Sequence, residues 1–152
     1  MEFCFTEDQE LFRTAVTDML GSQNPPAGIR EAWGGDTTSV RAVWSELMEM
    51  GLPLVALPEL DGGIGLGIYA LCSLLVATGE SAVVGPMVET TLVAPYALAR
   101  VAEARSVLDA VGGGAGFAAG ILGTPIPHAG WADHLLLLGD DASYLAPAQA
   151  VI

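Results

Sequence analysis

The stretch WSELMEMGLPLVALPELDGGIGLG, residues 44–67, decides how the rest of the chain is read. Trp44, Leu47 and Met48 recur at three- and four-residue spacing, which sets them on one face of a helix. Gly51 follows, suited to the left-handed position just past a helix C-terminus because it has no Cβ to clash there. A brief apolar run, residues 52–57, leads to Pro58. The segment Asp61-Gly62-Gly63-Ile64-Gly65-Leu66-Gly67 then packs glycines too densely for the interior of a helix or strand. Either something approaches that backbone closely or the loop turns sharply.

The order Trp44, Leu47, Gly51, Pro58, Glu59, Gly62, Gly63, Gly65 resembles a segment of the acyl-CoA dehydrogenase family, flavoproteins that desaturate acyl thioesters. The alternative is an ordinary helix-turn-helix with a loose surface loop. The family resemblance implies a chain that is mainly α with a smaller β part, an N-terminal helical bundle followed by a partial middle β domain.

Composition narrows the classes of function. Apolar residues make up 52% of the 152 and charged ones 15%, a globular balance and not a disordered one. There is no lysine, and the five arginines leave a net charge of −13, so nucleic-acid phosphates find nothing to bind and an anionic membrane repels the chain. Cys4 and Cys72 have no metal-ligand spacing and are expected as buried thiols in a reducing compartment. Glu2 and Glu7 occupy what would be the basic region of a signal peptide, and no apolar run is long enough to span a bilayer, so a cytoplasmic location is expected.

In chain order, Thr6 to Gln9 reads as a capping box with Glu7 and Asp8 at the positive end of the helix dipole. Leu11, Phe12, Ala15, Val16, Met19 and Leu20 form its apolar stripe. Residues 23–38 are too rich in Pro and Gly for an element to be assigned, with Trp33 as a satellite hydrophobe. A second helix begins near Thr38 or Ser39, either able to cap it. Residues 68–78 read as a helix apolar on most faces, hence buried. Pro86 fits the first turn of a fourth helix carrying Met87, Val88, Thr91 and Leu92, with a kink or break at Pro95. A last helix runs from about Glu103 to Val111 and stops at the Gly112-Gly113-Gly114 run. Residues 117–122, 135–138 and 143–145 read as strands, with Gly139-Asp140-Asp141 as a hairpin signal. The expected division is a helical domain over 1–111 and the start of a β domain over 112–152.

The run Ala129 to Leu137 is similar to a strand of the family's middle domain, but two departures stand out. The family's Thr-Glu-Pro loop and following Gly-Ser, which hold flavin and thioester, are replaced by Gly123-Thr124-Pro125. Pro127, with His128 next, stands where family members often place a hydroxyl near the flavin ring. Family members also continue into a four-helix domain bearing the catalytic glutamate, so this chain is expected to be a fragment, a truncated homologue or one part of a split assembly. Desaturation of a thioester needs a carboxylate for the α-proton and a flavin N5 for the β-hydride. Glu59, Glu80 and Glu89 do not match the family's base position, and no catalytic residue is nominated.

The resemblance places Met87, Val88 and Thr91 on the acyl pocket and Pro127 and His128 on the flavin side, against plain core and a solvated turn respectively. His134 has no metal partners and no metal site is expected. A Ser143, His128, Asp133 triad lacks the GxSxG elbow and is set aside. Two functions remain. One is a subunit or portion of an acyl-CoA dehydrogenase working with FAD on an acyl-CoA thioester in fatty-acid or steroid catabolism. It would associate with itself or with an unlike dehydrogenase-like subunit, and hold FAD only in the completed assembly. The other is a non-catalytic interaction module that keeps the helical half of the fold.

Overall fold

The computed structural model describes residues 4–151. Among the described residues, six α-helices precede three strands in the chain: α1 (Glu7–Gln23), α2 (Pro26–Trp33), α3 (Thr38–Glu49), α4 (Gly67–Glu80), α5 (Ala94–Leu98), α6 (Arg105–Gly112), then β1 (Phe117–Ile121), β2 (His134–Leu138) and β3 (Ser143–Pro147). This is a mainly α chain with a small sheet. It divides into two compact units, one ending at Val84 and the other beginning at Gly85. The change from helix to strand falls later, between Gly112 and Phe117.

In the first unit, the capping box forms as its sequence requires: Thr6 Oγ1 accepts from Gln9 N, and Thr6 N donates to Gln9 Oε1. The Gln9 amide also donates to Leu66 O at 2.8 Å, tying the start of α1 to the start of α4. Asn24 Nδ2 donates to Ser81 O at 2.6 Å at their far ends, so the two helices run parallel. Val16 and Leu20 are buried on α1, whereas Leu11 and Ala15 of the expected stripe are exposed.

Helix α2 occupies the segment that the sequence left without an element. Pro26 opens it at a position where the absent N–H costs nothing. Helix α3 is not capped by Thr38 or Ser39. Its N-cap is Thr37, and the carboxylate of Asp36 accepts from Thr38 N at 3.0 Å. That backbone bond, with the Thr38 hydroxyl second, lowers the Asp36 pKa. A lowered folded-state pKa means that the bond stabilises the chain above the ordinary carboxylate range and is lost as pH falls through the folded value. Fraying of α3 at its first turn is therefore expected in acid, read by amide exchange at Thr38, and absent from the pH profile of Asp36→Ala.

Val40, Val43, Trp44, Leu47 and Met48 bury one face of α3. Gly51 takes the left-handed conformation at φ 87°. Leu52, Pro53, Val55, Ala56 and Leu57 follow as a buried plug. The glycine loop folds back on that plug: Ile64 N donates to Leu54 O at 2.8 Å, Gly65 N to Leu57 O at 2.9 Å and Leu66 N to Val55 O at 3.0 Å. What approaches the glycine backbone is thus the chain's own segment.

Helix α4 corrects two expectations. Ala70, Leu71, Leu74 and Ala77 are buried, but Ile68, Tyr69 and Val76 face solvent. Cys72 lies exposed on the same helix and Cys4 is exposed as well, so neither thiol is a core residue.

In the second unit, the helix after Pro86 does not break at Pro95. Over Glu89–Val93 the ladder widens to a π turn, and Ala94 N reaches back to Glu89 O. The wide turn lets the chain continue into α5 although Pro95 has no N–H to offer. Leu108 and Val111 anchor α6. In the sheet, β1 pairs with β2 in parallel and β2 with β3 antiparallel. The hairpin signal at residues 139–141 joins β2 to β3. The β1–β2 connection spans residues 122–133, the dozen residues that a parallel crossover needs. Gly120, poor strand material by composition, is needed here because a Cβ would come within 2.8 Å of Ile126 Cγ1.

Candidate functional site

Of the residues assigned to an acyl pocket, Met87 and Thr91 come together. Both are buried, one turn apart, and the Thr91 hydroxyl donates to Met87 O at 2.7 Å. Val88 points the other way and is 48% exposed. The neighbouring Thr90, which the sequence reading passed over, is fully buried and holds the strand. Its hydroxyl accepts from Phe117 N at 3.0 Å and donates to Phe117 O at 3.2 Å. One side chain thereby satisfies both backbone groups at the start of β1. A Thr-Thr pair on a helix was the available signal, but its partner lies 27 residues away. Thr90→Val removes the hydroxyl at constant shape and leaves both groups buried without a partner, so a loss of about 1–3 kcal/mol is expected in urea denaturation. Thr90→Ser should recover most of it.

Pro127 and His128 lie exposed in the crossover loop. His128 is left-handed at φ 59°, and its carbonyl accepts from Trp131 N at 2.8 Å and Ala132 N at 3.1 Å. No hydrogen bond joins this corner to Met87, Val88 or Thr91 among the described residues. Asp133 acts as a clamp at the strand start: its carboxylate accepts from Gly116 N at 2.8 Å while its own N–H donates to Gly116 O at 2.8 Å. The Thr124 hydroxyl donates to Ile121 O at 2.8 Å.

This donor set does not fit a flavin. An isoalloxazine ring presents several nitrogens and oxygens in one plane, and the polar side chains of the loop are a threonine hydroxyl and a carboxylate already bonded to backbone, the His128 imidazole and the Trp131 indole. No step through a flavin is derived from these residues. Among the described residues, no group of three or more His, Cys, Asp or Glu is placed to hold a metal ion.

A groove of roughly 650 Å³ lies within the first unit, lined by Leu20, Ile29, Arg30, Trp33, Glu80 and Ala82 among others. It includes none of the residues assigned from sequence. Trp33, expected to pack as a satellite, is 80% exposed at its rim.

Residues 6–106 match the family profile described as acyl-CoA dehydrogenase, N-terminal domain. Acyl-CoA dehydrogenase FadE27 of Mycobacterium tuberculosis (strain ATCC 25618 / H37Rv) is 30% identical over 100 residues, which cover 66% of this chain and 27% of that protein. Among solved structures, a variant of the Tcur3481-Tcur3483 steroid ACAD superposes with a TM-score of 0.73 at 25% identity, covering 95% of this chain and 49% of that one. The ChsE4-ChsE5 complex from Mycobacterium tuberculosis shares the fold, with a TM-score of 0.72 at 24% identity over 97% of this chain and 49% of that one. The chain thus spans about a quarter of the curated relative and about half of the solved chains. No helix among the described residues is long and apolar enough to cross a membrane.

Proposed function

Because this chain belongs to the acyl-CoA dehydrogenase family, we propose that it serves FAD-dependent α,β-desaturation of an acyl-CoA thioester as one component of a larger assembly. The observation that carries this reading is the family match over residues 6–106 combined with a crossover loop too poor in donors for a flavin. Most of the flavin's partners and the carboxylate base come, on this reading, from outside these 152 residues, either from an unlike dehydrogenase-like chain or from a C-terminal domain of the family's kind. Val88, on the solvent side, touches the acyl chain, and Met87 and Thr91 form the wall behind it. Pro127 and His128 border the flavin from this side. The relatives support the details: one is a steroid ACAD, which favours a steroid acyl group, and another is a two-component complex. Exposed Ile121 and Leu138 at the strand ends, with Leu122 in the turn after β1, add apolar surface of the kind that marks an interface.

Co-purification from the source organism, with intact mass and a visible spectrum, tests the reading. A flavoprotein spectrum is expected, from a complex of two unlike chains or from a chain longer than these 152 residues. The isolated chain should bind FAD more weakly than micromolar in a titration, and micromolar or tighter binding would overturn the division of labour. The donor-poor loop also favours a second reading, a non-catalytic interaction module. A complex that stays colourless when reconstituted with FAD selects that one.

A further inference from the structure

The groove of the first unit holds two opposite charges that do not pair. Arg30, in the last turn of α2, and Glu80, at the end of α4, both line it. Among the described residues neither side chain takes part in a hydrogen bond or an ion pair. Elsewhere the chain ties arginines to carboxylates, Arg13 to Glu10 and Arg105 to Asp109. Leu20, Ile29 and Trp33 give the same groove an apolar lining. Its volume of roughly 650 Å³ falls within the range of about 300–1,000 Å³ usual for small-molecule sites. The groove is also braced: Asn24 Nδ2 donates to Ser81 O at 2.6 Å, which ties the end of α1 to the end of α4.

We propose that this groove binds a small zwitterion, an α-amino acid or dipeptide with a large apolar side chain, its carboxylate on Arg30 and its ammonium at the C-terminal end of α4. The inference stands apart from the activity proposed above and does not need it. A guanidinium offers a planar fork of donors that matches a carboxylate. At the other end an ammonium meets acceptors only. These are the Glu80 carboxylate, the Asn24 amide oxygen, which takes no bond among the described residues, and the negative pole of α4, whose last turn has no basic residue to neutralise it. Charge narrows the ligand class. A ligand with negative groups alone would face Glu80 on a chain of net charge −13, and one with positive groups alone would face Arg30. A neutral ligand would give neither charge a partner. The apolar side chain has Leu20, Ile29 and the ring of Trp33 to cover it.

The test titrates L-phenylalanine and L-leucyl-L-phenylalanine into the full chain under tryptophan fluorescence, with Trp33 at the rim as the reporter. Excitation is set where phenylalanine does not absorb. Saturation in the millimolar range or tighter is expected, and the probe that binds more tightly names the free amino acid or the dipeptide as the occupant. For that probe, the N-acetyl form, which lacks the ammonium, and the C-terminal amide, which lacks the carboxylate, should each bind at least tenfold more weakly. Arg30→Gln should weaken the zwitterion at least tenfold and bind it no better than its amide. Glu80→Gln should likewise cease to distinguish the zwitterion from its N-acetyl form. Arg30 and Glu80 are exposed, so both variants should keep the fold, which circular dichroism checks. Arg100→Gln, at an exposed arginine of the second unit, should leave binding unchanged. No saturation by either probe overturns the inference. So does equal binding of a blocked form by the wild type, or undiminished affinity in Arg30→Gln.

Discussion

Gly63→Ala is expected to remove about 3 kcal/mol or more from the first unit, the upper range for overpacking a close-packed site. The cause is steric and local. A Cβ at Gly63 would collide with the carbonyl of Leu57 and lie 2.6 Å from its Cβ. Leu57 has nowhere to go, because it closes the buried plug and its carbonyl accepts from Gly65 N at 2.9 Å. Relief would require the loop to lift, and the bonds from Ile64 and Leu66 to residues 54 and 55 would go with it. Total stability of a domain is only about 5–15 kcal/mol, so a loss of this size consumes much of it. The check is urea denaturation beside Gly79→Ala. Gly79 sits in α4 with nothing within 4 Å of a built Cβ, and alanine there should be neutral or stabilising by up to about 1 kcal/mol. Equal stability of Gly63→Ala and wild type would show that the glycines serve something other than this close approach.

Phe117→Ala should cost about 3–5 kcal/mol in the second unit, the usual range for emptying a buried aromatic site. Phe117 is fully buried, and its backbone N–H and C=O are both held by the Thr90 hydroxyl. The ring cannot be replaced by sliding the strand, since a one-residue slip would turn the alternating faces of β1 over. It would also set Gly120 away from Ile126. Denaturation followed by far-ultraviolet circular dichroism checks the loss. A cost below about 1 kcal/mol would mean that the site collapses around the missing ring.

Local chemistry explains which parts of this fold were legible. The capping box at Thr6 and Gln9, the left-handed Gly51 and the hairpin at residues 139–141 each depend on neighbours a few positions away, so their residue types announce them. Helix α2 announced itself only through Pro26, whose signal was masked by Pro25, Gly28 and Gly34 around it. The Gln9–Leu66 and Asn24–Ser81 bonds each span 57 residues, and nothing in a local pattern encodes such a partner. Composition likewise reports the apolar character of α4 but not which side of it the fold leaves open, and the exposed thiols were missed for that reason. At the candidate site, the sequence grouped Met87, Val88 and Thr91, but only Met87 and Thr91, four residues apart, are buried together, while Val88, about 100° further round the helix from Met87, is exposed.

The wide turn at Glu89–Val93 has a genetic consequence. It holds one more residue than a regular ladder would, and each residue of an α-helix advances the side chains by about 100°. Deleting any single codon within those five would restore the regular helix and keep every residue before and after it. Because the wide turn already absorbs that extra residue, its loss would leave the flanking faces in about their present phase, Met87 inward and Val88 outward, as one surplus link taken from a chain leaves both ends aligned. The same deletion in a regular stretch of helix would turn everything upstream by that angle, so Glu89–Val93 is where a change of length in this helix disturbs the packing least.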